Sequence, residues 1–276
     1  MAVVIVTGGT YGIGRSLTTL LAANGHQVVA FGLDTPQISS LAGNSIADLR
    51  GELEGAGRTA EVLEADVSDA SQVDGVVQHT LEKYGRIDAL VNNAAIGPLG
   101  TILETSEAVW DQVMAVNLKG PFLCCRAVLP HMIGQGGGSI VNVGSGAGWG
   151  KPNMFAYSAS KGGLHAFSAA LGYDFLHSRI RVNTVIPGGG GIVTGMSLGR
   201  VEGDADRVRR NGPGTAAGRH ATGDDLANVV AFLLTPGAEA ISGTVIDVGC
   251  FSHQGGPVPP RSEAAGTSGP GERVAK

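Results

Sequence analysis

The sequence predicts an α/β fold: a doubly wound parallel sheet of about seven strands with helices on both faces. Three observations carry that expectation. Short β-branched runs alternate with longer segments of helical period, as a succession of βαβ units requires. The strand segments are apolar almost throughout, the pattern of strands covered on both faces rather than on one. With 276 residues, 43% hydrophobic and 16% charged, the chain also has ample apolar material for a sizeable core.

In chain order, the first strand is read at Val3–Thr7, where Val3-Val4-Ile5-Val6 leads into a glycine loop, and a helix follows at Gly12–Asn24. Strands at Gln27–Phe31 and Ala60–Glu64 flank a helix at Ser45–Gly55; a helix at Ala70–Tyr84 then leads to a strand at Ala89–Asn92. The apolar segment Glu107–Met132 is read as one helix, followed by a strand at Ser139–Val143, a helix at Ala156–His177 and a strand at Arg181–Val185. The last pair is a helix at Gly223–Leu234 and a strand at Thr244–Val248. No internal boundary interrupts this series, so residues 1–251 are expected to form one domain. Two stretches depart from it. Four glycines at 188–191 precede a polar, arginine-bearing segment whose residues 194–219 are expected to be a mobile substrate lid. Residues 252–276, rich in Gly, Pro, Ser and Glu, are expected to form a flexible tail.

Composition narrows the function. A net charge of −5 without any Lys/Arg-rich block argues against a nucleic-acid partner. Three cysteines, Cys124, Cys125 and Cys250, make no disulfide framework and no CxxC pair; Cys124 and Cys125 read as buried thiols. The first strand begins almost at Met1, and no apolar run reaches membrane-spanning length, so a cytoplasmic protein without a membrane partner is expected. Histidines are scattered, and neither a G-x-S-x-G elbow nor an HExxH pair is present, so no metal and no serine-hydrolase chemistry is indicated.

The chemistry concentrates in two motifs. Thr7-Gly8-Gly9-Thr10-Tyr11-Gly12-Ile13-Gly14 joins the first strand to the first helix. Glycines there let the backbone turn tightly and approach a pyrophosphate, which the helix N-terminus favours with free N–H groups and a positive dipole end. Tyr157-Ser158-Ala159-Ser160-Lys161 spaces a phenol and an ammonium four residues apart, on one helix face. A nearby positive charge favours the phenolate of a group whose free pKa is about 10. Taken alone, each motif has a plain alternative: a strand-to-helix turn, and a core tyrosine beside a solvated lysine.

Together these segments resemble the short-chain dehydrogenase/reductase family over roughly residues 1–250. The glycine loop is similar to its TGxxxGxG loop, and Asn92-Asn93-Ala94-Ala95 to its NNAG signature, with alanine in the last place. Asn117 in Val-Asn-Leu-Lys-Gly, Ser145 after the fifth strand, the YxxxK pair and Pro187-Gly188 after the sixth follow in the family's order. The resemblance implies a Rossmann-like fold and reversible hydride transfer between a nicotinamide and an alcohol or ketone. It assigns catalytic places to Asn117, Ser145, Tyr157 and Lys161. Tyr157 acts as general acid/base, Lys161 lowers its pKa, Ser145 orients the substrate oxygen, and Asn117 bends its helix around a water in the proton relay. It implies cofactor contacts at Gly8, Thr10, Tyr11, Gly12, Ile13, Gly14, Asp34, Asp66, Val67, Asn93, Ala94 and Ala95. Tyr157, Lys161, Pro187, Gly188, Val193 and Thr194 complete that set. Asp66 reads equally as the N-cap of the following helix.

Three departures qualify the match. Only twelve positions separate Ser145 from Tyr157, one fewer than is common, so the intervening loop is expected to be tightened. Two extra glycines lengthen the run before Ile192-Val193-Thr194. The family's usual aspartate position after the second strand falls on Gly32, and Asp34 must reach back to serve it. An acid there selects NAD over NADP, and no Arg or Lys occupies the places of Leu33 or Tyr11 to receive a 2′-phosphate; NADP is not excluded. The family's habit of assembling through the Tyr157 helix implies a homo-oligomer, tetramer or dimer, with which apolar Phe155, Phe167 and Leu171 agree. Rival readings are a catalytically silent nicotinamide-binding regulator and an enoyl reductase, whose tyrosine and lysine are usually spaced more widely.

Overall fold

A computed structural model describes residues 1–34, 45–187, 192–210 and 215–248. The seven strands are β1 (Val3–Thr7), β2 (Gln27–Gly32), β3 (Ala60–Glu64), β4 (Ala89–Asn92), β5 (Gly138–Val143), β6 (Ile180–Ile186) and β7 (Val245–Asp247). They form one sheet in the order β3-β2-β1-β4-β5-β6-β7, every pair parallel. The order reverses between β1 and β4, and the crevice beyond the carboxyl ends at such a switch point is where open α/β sheets bind ligands.

The helices are α1 (Gly12–Ala23), α2 (Ile46–Gly55), α3 (Ala70–Tyr84), α4 (Glu107–Met114), α5 (Gly120–Gly134), α6 (Phe155–Asp174), α7 (Gly195–Gly199), α8 (Ala205–Arg210) and α9 (Gly223–Leu233). Successive strand residues point to opposite faces, and the core divides accordingly. Val4, Val6 and Val28 pack with Leu17 and Leu21 of α1 and Leu226 and Val230 of α9. Ile5 and Val29 face the other way, onto Val73 and Val77 of α3 and Leu123 and Val128 of α5. Each such side chain contributes roughly 1.5–3 kcal/mol on burial. Cys124 and Cys125 belong to this second cluster, and burial pushes the Cys125 thiol up to about 12.

Two differences from the expected elements are instructive. The helix expected at Glu107–Met132 is instead α4, one π-helical turn at Ala115–Lys119, and α5. This stretch is apolar and long enough to cross a membrane, but half of its most apolar window is packed inside the fold. Residues 194–219, expected as a substrate lid, contain α7 and α8, and among their described residues Val201 and Val208 are the buried apolar side chains. Thr194 nucleates α7 by capping Ser197 N–H at 3.1 Å while Ser197 Oγ takes the Thr194 N–H at 2.7 Å. Gly188 with the rest of the glycine run, residues 211–214 of the expected lid, Cys250 and the expected tail 252–276 lie outside the described residues.

Candidate active site

Side chains cap α2, α3 and α4 at Ser45, Asp69 and Ser106, whereas α1 opens at Tyr11 with no side-chain cap and no acid in its first turn. Its N-terminal N–H groups and positive dipole end therefore remain for a ligand. The loop before it is shaped by close approach. Gly8 has φ +58°, and a Cβ on Gly14 would lie 1.8 Å from the Gly8 carbonyl oxygen. Asn93 pins the loop from β4, its Nδ2 donating to the carbonyls of Thr7 (3.1 Å) and Gly8 (3.0 Å). Thr7 Oγ1 accepts in turn from the N–H groups of Asn93 and Ala94. An uncapped helix start under a bare glycine loop fits the pyrophosphate of a dinucleotide.

The catalytic candidates converge beside this loop, at the ends of β4 and β5. Tyr157 and Lys161 lie on α6, both buried, with Lys161 Nζ 5.8 Å from the Tyr157 ring centre and donating to Val143 O at 2.7 Å. Ser145, just past β5, caps a short 3₁₀ turn at Gly146–Trp149, its Oγ accepting from Ala147 N–H at 3.2 Å, and lies near enough to Tyr157 to pull the phenol's titration down. Asn117 sits in the π turn. Its Oδ1 accepts from Ile96 N–H at 2.9 Å, and its Nδ2 donates to Ile96 O and to Ser160 Oγ at 2.8 and 3.0 Å. The extra residue of the π turn swings this side chain inward.

A family model described as short chain dehydrogenase matches residues 2–203. The chain is 34% identical over 247 residues to the 3-oxoacyl-[acyl-carrier-protein] reductase FabG of Thermotoga maritima, covering 89% of this chain and 95% of that one. Solved structures agree. A levodione reductase superposes with TM-score 0.79 at 30% identity, covering 92% and 98% of the two chains. A variant of actinorhodin polyketide ketoreductase with NADPH gives TM-score 0.79 at 30% identity, over 91% and 97%. The chain belongs to the short-chain dehydrogenase/reductase family.

Most of the remaining expected cofactor positions of this short-chain dehydrogenase/reductase follow the carboxyl ends of the strands, Gly188 lying outside the described residues. Thr10 is buried and fills the space beside Gly32 at the end of β2, where a Cβ would meet Thr10 Oγ1 at 2.8 Å. Asp34 is two residues further on, at the edge of the described segment. Asp66 does not cap α3. Its Oδ1 accepts from Ser68 N–H and Oγ, and the cap is Asp69, which takes Ser71 N–H at 2.8 Å. Val67 is buried against Gly120, at the start of α5. Thr194 lies over the loop, 3.5 Å from a Cβ placed on Gly12, next to half-buried Val193; Ala95 and Pro187 are likewise half-buried.

The structure adds residues that the motifs do not mark. Met196 of α7 packs on Ala147, Met154 and Tyr157, and Arg200 follows it at the end of α7. Trp149 packs tilted against His165 of α6, with ring centroids 4.5 Å apart and planes 42° apart. The loop between Ser145 and Tyr157 holds Asn153 at φ +59°, and Gly148 runs against the His165 ring, where a Cβ would come within 2.5 Å.

Electrostatically, burial pushes the Tyr157 phenol above its ordinary value, while the nearby Ser145 hydroxyl and the Arg200 charge pull it down. Burial brings the Lys161 amine from 10.5 down to about 8. His165 is held down by burial and by Lys161, which favours its neutral form. The lysine makes a stability prediction. Between pH 8 and 10.5 the unfolded chain holds the Lys161 proton that the folded chain has lost, so stability of the ligand-free protein rises with pH. The gain is on the order of 3 kcal/mol for a shift of this size. It should flatten near pH 10, where tyrosines of the unfolded chain ionise before Tyr157. Denaturant titrations across this range should show the rise in the wild type and not in Lys161→Met.

Proposed function

We propose that this oxidoreductase catalyses reversible hydride transfer between a nicotinamide cofactor and an alcohol or carbonyl substrate, with Tyr157 as general acid/base. The single observation that carries the reading is the convergence of Ser145, Tyr157 and buried Lys161 beside an uncapped, glycine-lined helix start. The bound nicotinamide supplies the hydride; the protein supplies position and the proton. In reduction, Tyr157 gives its proton to the substrate oxygen, and in oxidation it takes that proton back. Ser145 hydrogen-bonds the same oxygen as charge develops on it. Lys161, whose charge lies over one face of the Tyr157 ring, favours the phenolate and holds the nicotinamide ribose. Asn117 fixes the wall of the proton path through Ile96 and Ser160.

The cofactor-binding set is proposed as Gly8, Thr10, Tyr11, Gly12, Ile13 and Gly14 for the pyrophosphate side, with Asp66 and Val67 for adenine. Asn93, Ala94, Ala95, Pro187, Gly188, Val193 and Thr194 line the nicotinamide side. NAD is the proposed cofactor. Asp34 accepts from the ribose hydroxyls, and Arg15, the nearest cation in α1, is held by Glu52 with Nε–Oε2 at 3.0 Å rather than aimed at a 2′-phosphate. Comparing kcat/KM with NADH and NADPH should give at least about a tenfold preference for NADH, the size of one lost charged hydrogen bond. A preference for NADPH would remove Asp34 from the site.

Residues 1–251 are proposed as one catalytic domain, cytoplasmic, with residues 194–219 as substrate lid and 252–276 as a flexible tail. The proposed assembly is a homotetramer or dimer through the outer face of α4, α5 and α6. Met114, Leu118, Phe122, Ala166 and Phe167 line an apolar groove there, with Phe122 exposed. The test of the activity is the change in reduced-nicotinamide absorbance with a panel of alcohols, ketones and enones. Turnover is expected with alcohols and ketones. Turnover of enones alone would favour the enoyl-reductase reading, and none with any compound the silent binding protein.

A further inference from the structure

Arg200 places a guanidinium near Tyr157 and Gly97 that has no counter-charge among the described residues. Its Nη2 donates to the Gly97 carbonyl at 2.9 Å, while its Nε–H is buried and has no partner among the described residues. It takes part in none of the ion pairs found among those residues, all of which lie elsewhere. The neighbouring backbone is cut away to admit it. A Cβ on Gly97 would lie 2.9 Å from Nη2 and 2.7 Å from Met196 Sδ, the same Met196 that packs on Tyr157. The guanidinium is close enough to Tyr157 for each to shift the other's titration.

Arg200 is half-buried, and a charged donor partly withdrawn from water without a counter-charge is costly, so folds keep such groups where something else repays the cost. A guanidinium presents paired N–H groups that match the two oxygens of a carboxylate. Within the lid this charge stands at the far end of α7 from Thr194, which lies over Gly12 of the pyrophosphate cradle; Arg200 bonds the Gly97 carbonyl and lies near Tyr157. We propose that Arg200 binds a carboxylate of the substrate, so that the preferred substrate is an oxo acid, or its hydroxy-acid product, with the carboxylate a few bonds from the reacting carbon. This rests on the hydride-transfer reading of the same site. Lid helix α7 then becomes the element that reads the acid, since Met196 and Arg200 both come from it or its end.

The test uses calorimetry on the full chain, with and without saturating NADH, titrated with butyrate and with butyramide as an uncharged match. Butyrate is expected to bind about tenfold to a hundredfold more tightly than butyramide, the range of a charge-assisted hydrogen bond. Arg200→Leu should abolish the difference and Arg200→Lys restore part of it, with NADH affinity unchanged in both. Equal binding of the two probes by the wild type, or binding of neither, overturns the proposal without recourse to any variant. A fall in NADH affinity matching the loss of butyrate binding also overturns it, by assigning the guanidinium to the cofactor. A kinetic arm compares levulinate with methyl levulinate, where the acid should have the higher kcat/KM in the wild type only. Carboxylate preference without turnover of any carbonyl would instead mark failure of the hydride-transfer reading, leaving the anion site standing.

Discussion

Tyr157→Phe is expected to lower turnover by about 10²–10⁴-fold, the usual contribution of a general acid/base, while leaving NADH affinity within about twofold of wild type. The substitution removes one oxygen from a buried ring and little else. The ring still packs on Ala147, Met154 and Met196, and Lys161 keeps its bond to Val143 O. The Ser145 hydroxyl keeps the Ala147 N–H at 3.2 Å, so the turn after β5 should hold its shape. Steady-state kinetics with a ketone, together with a fluorescence titration of NADH, separate the two effects. A variant that turns over at close to the wild-type rate would mean that the proton comes from another group.

Gly14→Ala should have the second large effect, on the fold of the cofactor loop itself. An added Cβ would stand 1.8 Å from the Gly8 carbonyl oxygen and 2.7 Å from Asn93 Nδ2. Neither neighbour is free to yield, because Asn93 Nδ2 is bonded to both Thr7 O and Gly8 O. The loop backbone must move, at a cost of about 3 kcal/mol or more for overpacking against rigid atoms. NADH affinity should fall by at least about a hundredfold as the uncapped helix start loses its register with the loop. Gly51→Ala supplies the matched comparison. It lies within α2 with nothing within 4 Å of its added Cβ, and the change should stabilise by about 0.5–1 kcal/mol through helix propensity. Denaturant unfolding of the two variants side by side checks both signs; equal stabilities would show that the loop tolerates a side chain at position 14.

Much of the site was legible in the sequence because its logic is local. A β-branched run before closely spaced glycines forces a strand, a tight turn and a helix start, and a four-residue spacing sets Tyr157 and Lys161 on one face of α6. What was not legible depends on distant chain. The π turn at Ala115–Lys119 leaves no periodic signature in a segment that reads as one apolar helix, yet it is what aims Asn117 at Ile96 and Ser160. Asp66 and Asp69 both suit an N-cap by residue type. Only the path of the chain out of β3 gives the cap to Asp69 and turns Asp66 onto Ser68. Arg200 reads as one more arginine in a polar stretch, and its meaning comes from Gly97, 103 residues earlier in the chain. The short helices α7 and α8 are likewise too brief for periodicity to reveal, although Thr194 and Ser197 carry a capping box that spacing alone can suggest.

The most direct measurement of the central claim follows a label rather than an absorbance. NADH deuterated at the transferable C4 position, incubated with the wild-type protein and a ketone that it reduces, should yield an alcohol with deuterium on the carbinol carbon and an unlabelled hydroxyl proton. That outcome shows hydride transfer from the cofactor to the carbonyl carbon, with the hydroxyl proton drawn from groups in exchange with water, as the proposed site requires. Deuterium at a carbon β to an untouched carbonyl in an enone, or no transfer to any substrate despite tight NADH binding, would contradict it.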